Sequence, residues 1–475
     1  MSDLLRDFAA AVARHPDRTA LVEASGNAIS FADLQTRSHA FVSSWAARGI
    51  APGDRVLLAM PVGADLYAAL AAVWSLGATV VLPEPAMGLR GLIHAARTTR
   101  PRAFCSAGAY GLLQLALPAL WPMIHLRPST GGGANLGRPL PGPDDIALIS
   151  FTSGTTGAPK AIPRSHAFLA AQHHAIAPLL DSATEERDLT AFPVFVLINI
   201  ASGRTSVLPD WKMSRLAHLS PDRLAARIAT QNVTRALLPP ALCETLARAP
   251  ATPMLHTVFT GGGPVFPDLL DRLWSNRPGL RIACVYGSTE AEPIAHLEAA
   301  AITARDRAAM DAGAGLLAGH PVPGIDLRLQ HGEILVAGAH VNAGYLDPAH
   351  DAENKIREDG RIWHRTGDAG RLDGAGRLWL LGRAGAEVRT DAATLHPFAV
   401  EVAARTWPGV RQAALMPGKG SPCLVIEGTA SHLQDWQARA RALGIVRVTA
   451  IRRMPMDRRH ASKIDRAALA RRDLG

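Results

Sequence analysis

Residues 146–160 read IALISFTSGTTGAPK. The first six, Ile146–Phe151, are an apolar run too short for a helix and bounded by turn residues, so they predict a buried strand. The next nine, Thr152–Lys160, are a turn built for anions. Gly154 and Gly157 let backbone N–H groups approach phosphate oxygens closely. Hydroxyls at Thr152, Ser153, Thr155 and Thr156 add donors, and Lys160 adds a positive charge. A Walker A loop needs four residues between its glycines and then Gly-Lys-Ser/Thr. Here Pro159 precedes Lys160 and Ala161 follows it, so this is a phosphate loop of another kind.

Upstream, helical and strand patterns alternate. Ser30–Arg48 predicts a helix with Ser30 as its cap, 54–60 a strand, 64–76 a helix and 78–82 a strand. Such alternation implies βαβ units and a mainly parallel sheet. Pro128–Asp144 is Gly/Pro-rich and reads as a loop. The alternation resumes to about residue 290. From 320 to 383 short strands (GIDLRLQ, GEILVAG, GRLWLLG) between glycine-rich turns predict a β-rich subdomain. The stretch AGAEVRTDAA after Arg383 suits a linker, and the remaining residues are again mixed. The expected architecture is α/β: a large N-terminal lobe, 1–383, of βαβ layers with a β-rich subdomain, and a small α+β lobe, 384–475.

Bulk properties narrow the function. A chain of 475 residues exceeds one ordinary domain. With 48% apolar residues it is a globular composition. The net charge of +9 comes from scattered arginines, densest at Arg452, Arg453, Arg458, Arg459, Arg466, Arg471 and Arg472. Aromatics are only 5%, so the stacking partners of a nucleic-acid surface are missing. Cys105, Cys243, Cys284 and Cys423 stand too far apart for a zinc or disulfide framework, which fits a cytoplasmic protein. The N-terminus, interrupted by Asp3 and Asp7, does not read as a signal peptide. The most apolar stretch, Leu66–Leu82, falls short of the ~20 residues that span a bilayer and breaks at Gly77.

The string Thr152–Lys160 resembles the phosphate loop of the adenylate-forming superfamily: acyl-CoA synthetases, luciferases and peptide-synthetase adenylation domains. Further matches follow in that family's order. Gly261-Gly262-Gly263-Pro264 resembles the turn that packs on adenine. Tyr286-Gly287-Ser288-Thr289-Glu290 resembles the segment that stacks on adenine and reaches magnesium. Gly332–Leu346 resembles a structural motif, Arg365-Thr366-Gly367-Asp368 the ribose clamp, Gly382-Arg383 the segment before the hinge, and Lys463 the C-terminal catalytic lysine. The resemblance implies a mobile C-terminal lid and ATP with Mg²⁺ as cofactors.

It also implies roles with a physical rationale. A carboxylate must attack the α-phosphate, so two anions meet, and Mg²⁺ on the phosphate oxygens offsets their repulsion. Glu290 is the implied metal ligand. Thr289 would hydrogen-bond the α-phosphate, and Tyr286 offers a flat face to adenine. Asp368 can accept from both ribose hydroxyls. Lys463 would neutralise charge developing on the transferring oxygens. Each residue alone reads as an ordinary surface or turn group; the ordered set does not. His364 and Asp368 also form His-x-x-x-Asp, similar to acyltransferases, but Ala369 replaces the usual glycine and no second His precedes His364.

Within the superfamily, Phe192–Pro209, Ala236–Leu242 (ALLPPAL, matched to a helix), Tyr286–Ala295 and Pro455–Asp465 resemble olefin β-lactone synthetases. Those enzymes adenylate a long-chain β-hydroxy acid, whose hydroxyl then closes a β-lactone and expels AMP. The run Val194, Phe195, Val196 and Leu197 suits an acyl pocket or plain core. The hinge position is Gly385, and Val388–Leu395 lacks the glycine of thiol-using relatives. AGAE at 384–387 replaces a bulkier basic stretch, which points to an unusual acid. The expected partner is a small-molecule carboxylic acid, with a pathway enzyme or carrier protein left open. The alternatives are an acyl-CoA ligase, a carrier-loading acyl-AMP ligase, or a non-catalytic nucleotide-binding relative; Glu290 and Lys463 together argue against the last.

Overall fold

The computed structural model describes residues 4–83, 87–129, 131, 141–152, 159–390, 394–418, 421–456 and 463–472. The predicted N-terminal elements are present: helix Phe31–Ala47, strand Arg55–Ala59, helix Ala64–Ser75, strand Thr79–Val81 and strand Ile146–Phe151. Ser30 does cap its helix. Its hydroxyl accepts from the Asp33 N–H while the Asp33 carboxylate accepts from the Ser30 N–H, satisfying two orphan donors reciprocally.

These strands belong to a six-stranded sheet, parallel except for its last strand, Ala161–Ser165. Both faces are covered. Val56 and Leu58 pack with the helices Phe31–Ala47 and Ala64–Ser75, while Leu57 and Ala59 pack on the other side with helix Gly88–Thr99. The period-2 alternation of a strand explains why such runs are apolar throughout.

The second sheet has fourteen strands. Its parallel part runs through Arg187–Thr190, Arg235–Leu238, Thr257–Gly261 and Arg281–Ser288. Strand Arg281–Ser288 then folds back onto Ala291–Glu298, and from there the sheet is antiparallel through Leu316–Pro321, Leu378–Arg383, Arg361–Leu372 and Glu333–Gly338. The β-rich stretch is therefore continuous with the parallel sheet rather than a separate sheet. ALLPPAL, matched to a helix, is split: Ala236–Leu238 end a strand and the helix begins at Pro240. Its two prolines explain the break, since a Pro supplies a first helical turn but disfavours helix before it.

The C-terminal part carries its own three-stranded sheet, Val410–Met416, Cys423–Gly428 and Arg447–Ile451. Trp436, fully buried, anchors its core and donates to the Pro408 carbonyl at 2.8 Å. The expected linker is shorter than its composition suggested. Val388–Arg389 pairs with Thr394–Leu395, and Val388 is buried in this lobe's core. Helix Pro397–Arg405 faces both ways: Val400 and Ala404 join the C-terminal core, while Val402 packs with Leu378, Trp379 and Leu380 of the large sheet. Arg405 donates twice to Asp268 (2.9 and 2.8 Å) and lies over the Phe266 ring at 4.3 Å.

Cys105, Cys243 and Cys423 are buried and Cys284 is half-buried, all as free thiols. Burial pushes the Cys243 and Cys284 thiols up to about 12. Among the described residues no helix is long and apolar enough to cross a membrane.

Candidate active site

The site gathers where parallel strands of the large sheet end, the usual ligand position in open α/β sheets. Gly261, Gly262 and Gly263 follow strand Thr257–Gly261, beside the end of strand Arg281–Ser288. A Cβ on Gly261 would stand 2.5 Å from the Val285 carbonyl oxygen, so only glycine lets the two strand ends close up. Tyr286, Gly287 and Ser288 finish the second strand. Thr289 and Glu290 form the hairpin turn to Ala291–Glu298, at the ends of two interior strands of the sheet.

Tyr286, Asp368 and Arg383 meet. The Tyr286 hydroxyl donates to Asp368 Oδ2 at 2.8 Å, and Arg383 Nη1 donates to Asp368 Oδ1 at 3.0 Å. Asp368 and Arg383 face each other in register on adjacent strands. Burial first, then the Asp368 carboxylate, holds the Tyr286 phenol well above its ordinary range, so it stays a neutral donor.

Glu290 is held from behind. Tyr345 Oη donates to its Oε1 at 3.0 Å, and the Asn342 N–H donates to its carbonyl at 2.7 Å. Arg164 Nη2 donates to the Thr289 carbonyl at 2.7 Å. Lys160 closes the phosphate loop: Thr152 N–H donates to its carbonyl at 3.1 Å, and its own N–H donates to Thr152 Oγ1 at 3.3 Å. The Lys160 ammonium donates to Asn354 Oδ1 at 3.3 Å and lies 5.4 Å from the Tyr345 ring centre. Lys355 flanks the same ring at 5.6 Å and donates to the Asn342 carbonyl. Burial lowers Lys355 to about 8, against the pull of Glu290 and Asp351. Ser153, Gly154, Thr155, Thr156 and Gly157 lie outside the described residues. Lys463 is exposed on the C-terminal lobe, beside the bridge pairing Met456 with Ile464.

Tyr345, Lys355, Asn342 and Arg164 were not singled out from the sequence. Tyr345 lies in the quoted stretch Gly332–Leu346, but Lys355 and Arg164 carry no motif of their own. His364 and Asp368 do not act together: His364 is buried with Nδ1 on the Asn354 carbonyl at 3.2 Å, while Asp368 is taken by Tyr286 and Arg383.

An apolar pocket opens beside Gly261, lined by Ile176, Leu180, Phe192, Phe195, Leu237 and Phe259, with Glu292 at its wall. Of the four acyl-pocket candidates only Phe195 lines it. Val194 packs against the same cluster, whereas Val196 and Leu197 turn to the core on the far side of helix Pro193–Ser202. The 3.6-residue period separates them.

Residues 8–346 match the AMP-binding enzyme family. The chain belongs to the AMP-binding enzyme family. As such it is an adenylate-forming ligase, activating an acid at the expense of ATP. It is 31% identical to the olefin beta-lactone synthetase of Xanthomonas campestris pv. campestris, over 93% of this chain and 90% of that one. Among solved structures, this AMP-binding enzyme superposes on the amide bond synthetase McbA from Marinactinospora thermotolerans with a TM-score of 0.82, at 22% identity and 98% coverage of each chain. It superposes on the O-succinylbenzoate coenzyme A synthetase MenE from Bacillus subtilis, in complex with ATP and magnesium ion, with a TM-score of 0.79, at 20% identity, covering 98% of this chain and 99% of that one.

Proposed function

We propose that this enzyme adenylates a carboxylic acid bearing a β-hydroxyl and then lets that hydroxyl close a β-lactone. The observation that carries this reading is the identity of 31% along nearly the whole chain with an olefin beta-lactone synthetase. In the first step a carboxylate oxygen attacks the α-phosphorus and pyrophosphate leaves. In the second the β-hydroxyl oxygen attacks the acyl carbon, AMP leaves, and the hydroxyl proton passes to solvent. The nucleophile is already attached, so orientation in the pocket beside Gly261 does much of what a second substrate would otherwise require.

The residues divide this work. Tyr286 presents its ring to adenine while its hydroxyl holds Asp368, and Asp368, steadied by Arg383, accepts from the ribose hydroxyls. The loop from Thr152 to Lys160, with Ser153, Gly154, Thr155, Thr156 and Gly157, cradles the outer phosphates. Thr289 bonds the α-phosphate. Lys463 neutralises charge developing on the transferring oxygens.

The chain also suits Mg²⁺. Glu290 Oε2 takes no hydrogen bond from a described residue, and Ser288 Oγ is buried without a partner among the described residues. A hard carboxylate oxygen is the ligand type that Mg²⁺ prefers. When bound, Mg²⁺ supplies charge that offsets the repulsion between carboxylate and triphosphate. The lobes divide at 383/384, and the C-terminal lobe brings Lys463 to the nucleotide. We read the protein as cytoplasmic.

The test is product analysis. With ATP, Mg²⁺ and a 3-hydroxy acid, and without CoA, a β-lactone and AMP are expected. Strict dependence on CoA or a carrier thiol, with a thioester product, overturns lactone closure and leaves adenylation standing. Lys463→Ala is expected to slow carboxylate-dependent ATP–pyrophosphate exchange by about 10²–10³-fold, the scale of losing one preorganised charge partner. Unchanged exchange removes Lys463 from the chemistry.

A further inference from the structure

The stretch Gly332–Leu346 has no role in the chemistry above, yet its penultimate residue is Tyr345, whose hydroxyl donates to Glu290 Oε1 at 3.0 Å. That bond takes Oε1 and leaves Oε2 without a hydrogen bond from a described residue. The backbone is pinned as well: Asn342 N–H bonds the Glu290 carbonyl at 2.7 Å, and Ala291 bridges Val341. A carboxylate on a two-residue turn would otherwise sample several rotamers.

Tyr345 is itself fixed on all sides. Its N–H donates to Asp351 Oδ1 at 2.8 Å. Two ammonium groups stand over its ring, Lys160 at 5.4 Å and Lys355 at 5.6 Å, both within reach of the ring quadrupole. Lys355 is almost fully buried and is tied to the Asn342 carbonyl, so one strap holds the tyrosine, the carboxylate turn and the phosphate-loop lysine together.

We propose that Tyr345 is a positioning residue that fixes the Glu290 carboxylate with one oxygen free to face the metal–nucleotide complex. The proposal rests on the reading of Glu290 as the metal ligand. It is tested in the full chain with Tyr345→Phe, which keeps the ring beside the two lysines and removes only the hydroxyl. Losing a hydrogen bond to a charged group is expected to raise the Mg²⁺ concentration for half-maximal ATP–pyrophosphate exchange about five- to tenfold. Saturating Mg²⁺ recovers most of the loss. By calorimetry, ATP affinity weakens in the presence of Mg²⁺ and is unchanged in its absence. A rate loss that Mg²⁺ does not rescue, or an unaltered Mg²⁺ dependence, overturns the proposal.

Glu290→Gln separates the two ideas. If that variant alone leaves the Mg²⁺ dependence untouched, the metal-ligand reading fails and the proposal falls with it. If Glu290→Gln shifts the dependence, adding Tyr345→Phe to it is expected to shift it little further, because the hydroxyl then has no carboxylate to aim. Fully additive shifts overturn the positioning role.

Discussion

At the scale of single residues, burial decides which groups carry charge. His364 is nearly inaccessible, and desolvation first, then the neighbouring Lys355, lowers its imidazole to about 3. Its unfolded value is near 6.5, so the folded state binds the proton less well. The stability this residue contributes is complete above about pH 6.5 and is lost as pH falls toward 3, at about 1.4 kcal/mol per pH unit. Between pH 7.5 and 5 the native protein is therefore expected to lose about 2 kcal/mol more than His364→Asn, which keeps a donor for the Asn354 carbonyl. Denaturant midpoints at the two pH values check this; parallel losses in both proteins contradict it. The same scale shows what was readable beforehand. Glu290 and Asp368 stood out because each sits in a contiguous string that resembles a motif of a known family. Tyr345 did not, because its meaning comes from a carboxylate 55 positions away that only the folded chain brings to it.

At the scale of elements, the alternation of helices and strands was legible because the parallel strands are covered on both faces and so read as short apolar runs between longer helical segments. Pairing across the long sheet was not legible, since nothing local says that the β-rich stretch continues the parallel strands. Nor does local sequence show the cross-strand pair Arg235–Asp188. These residues sit in register on adjacent strands, bonded at 2.7 and 2.8 Å, with both side chains almost wholly inaccessible. Asn199 donates to the same carboxylate at 3.0 Å. Removing Arg235 leaves the Asp188 charge buried with the neutral Asn199 amide but without its ion-pair partner. Arg235→Leu is expected to cost about 3–5 kcal/mol in urea unfolding, and pairing it with Asp188→Leu should recover a good part of that. A loss below about 1 kcal/mol in the single variant would contradict this account.

At the scale of the whole molecule, the two lobes share helix Pro397–Arg405, which composition alone did not reveal. Arg405 is 3% exposed in its side chain and spans the seam to Asp268, whose carboxyl stays below its usual range despite burial because Arg405 and Arg272 bond it. Arg405→Ala is expected to cost about 1–3 kcal/mol, less than a wholly buried pair because Arg272 remains on Asp268. Calorimetry should show the lobes melting apart where the parent melts once; a single unshifted transition tells against the seam. Gly385, the expected hinge, has a φ of +80°, and a Cβ there would meet no heavy atom within 4 Å, so the position favours glycine by backbone angle and not by space; its N–H donates to Glu387 Oε2 at 2.8 Å, a bond that hinge motion would break. The thiols bear on watching such motion. Three are buried, and burial keeps Cys243 and Cys284 protonated at neutral pH, the form that reacts poorly with alkylating dyes. The native chain is thus a dark background for fluorescence: one new cysteine at exposed Leu89 and another at exposed Val446 would carry a dye pair across the seam without removing any natural thiol.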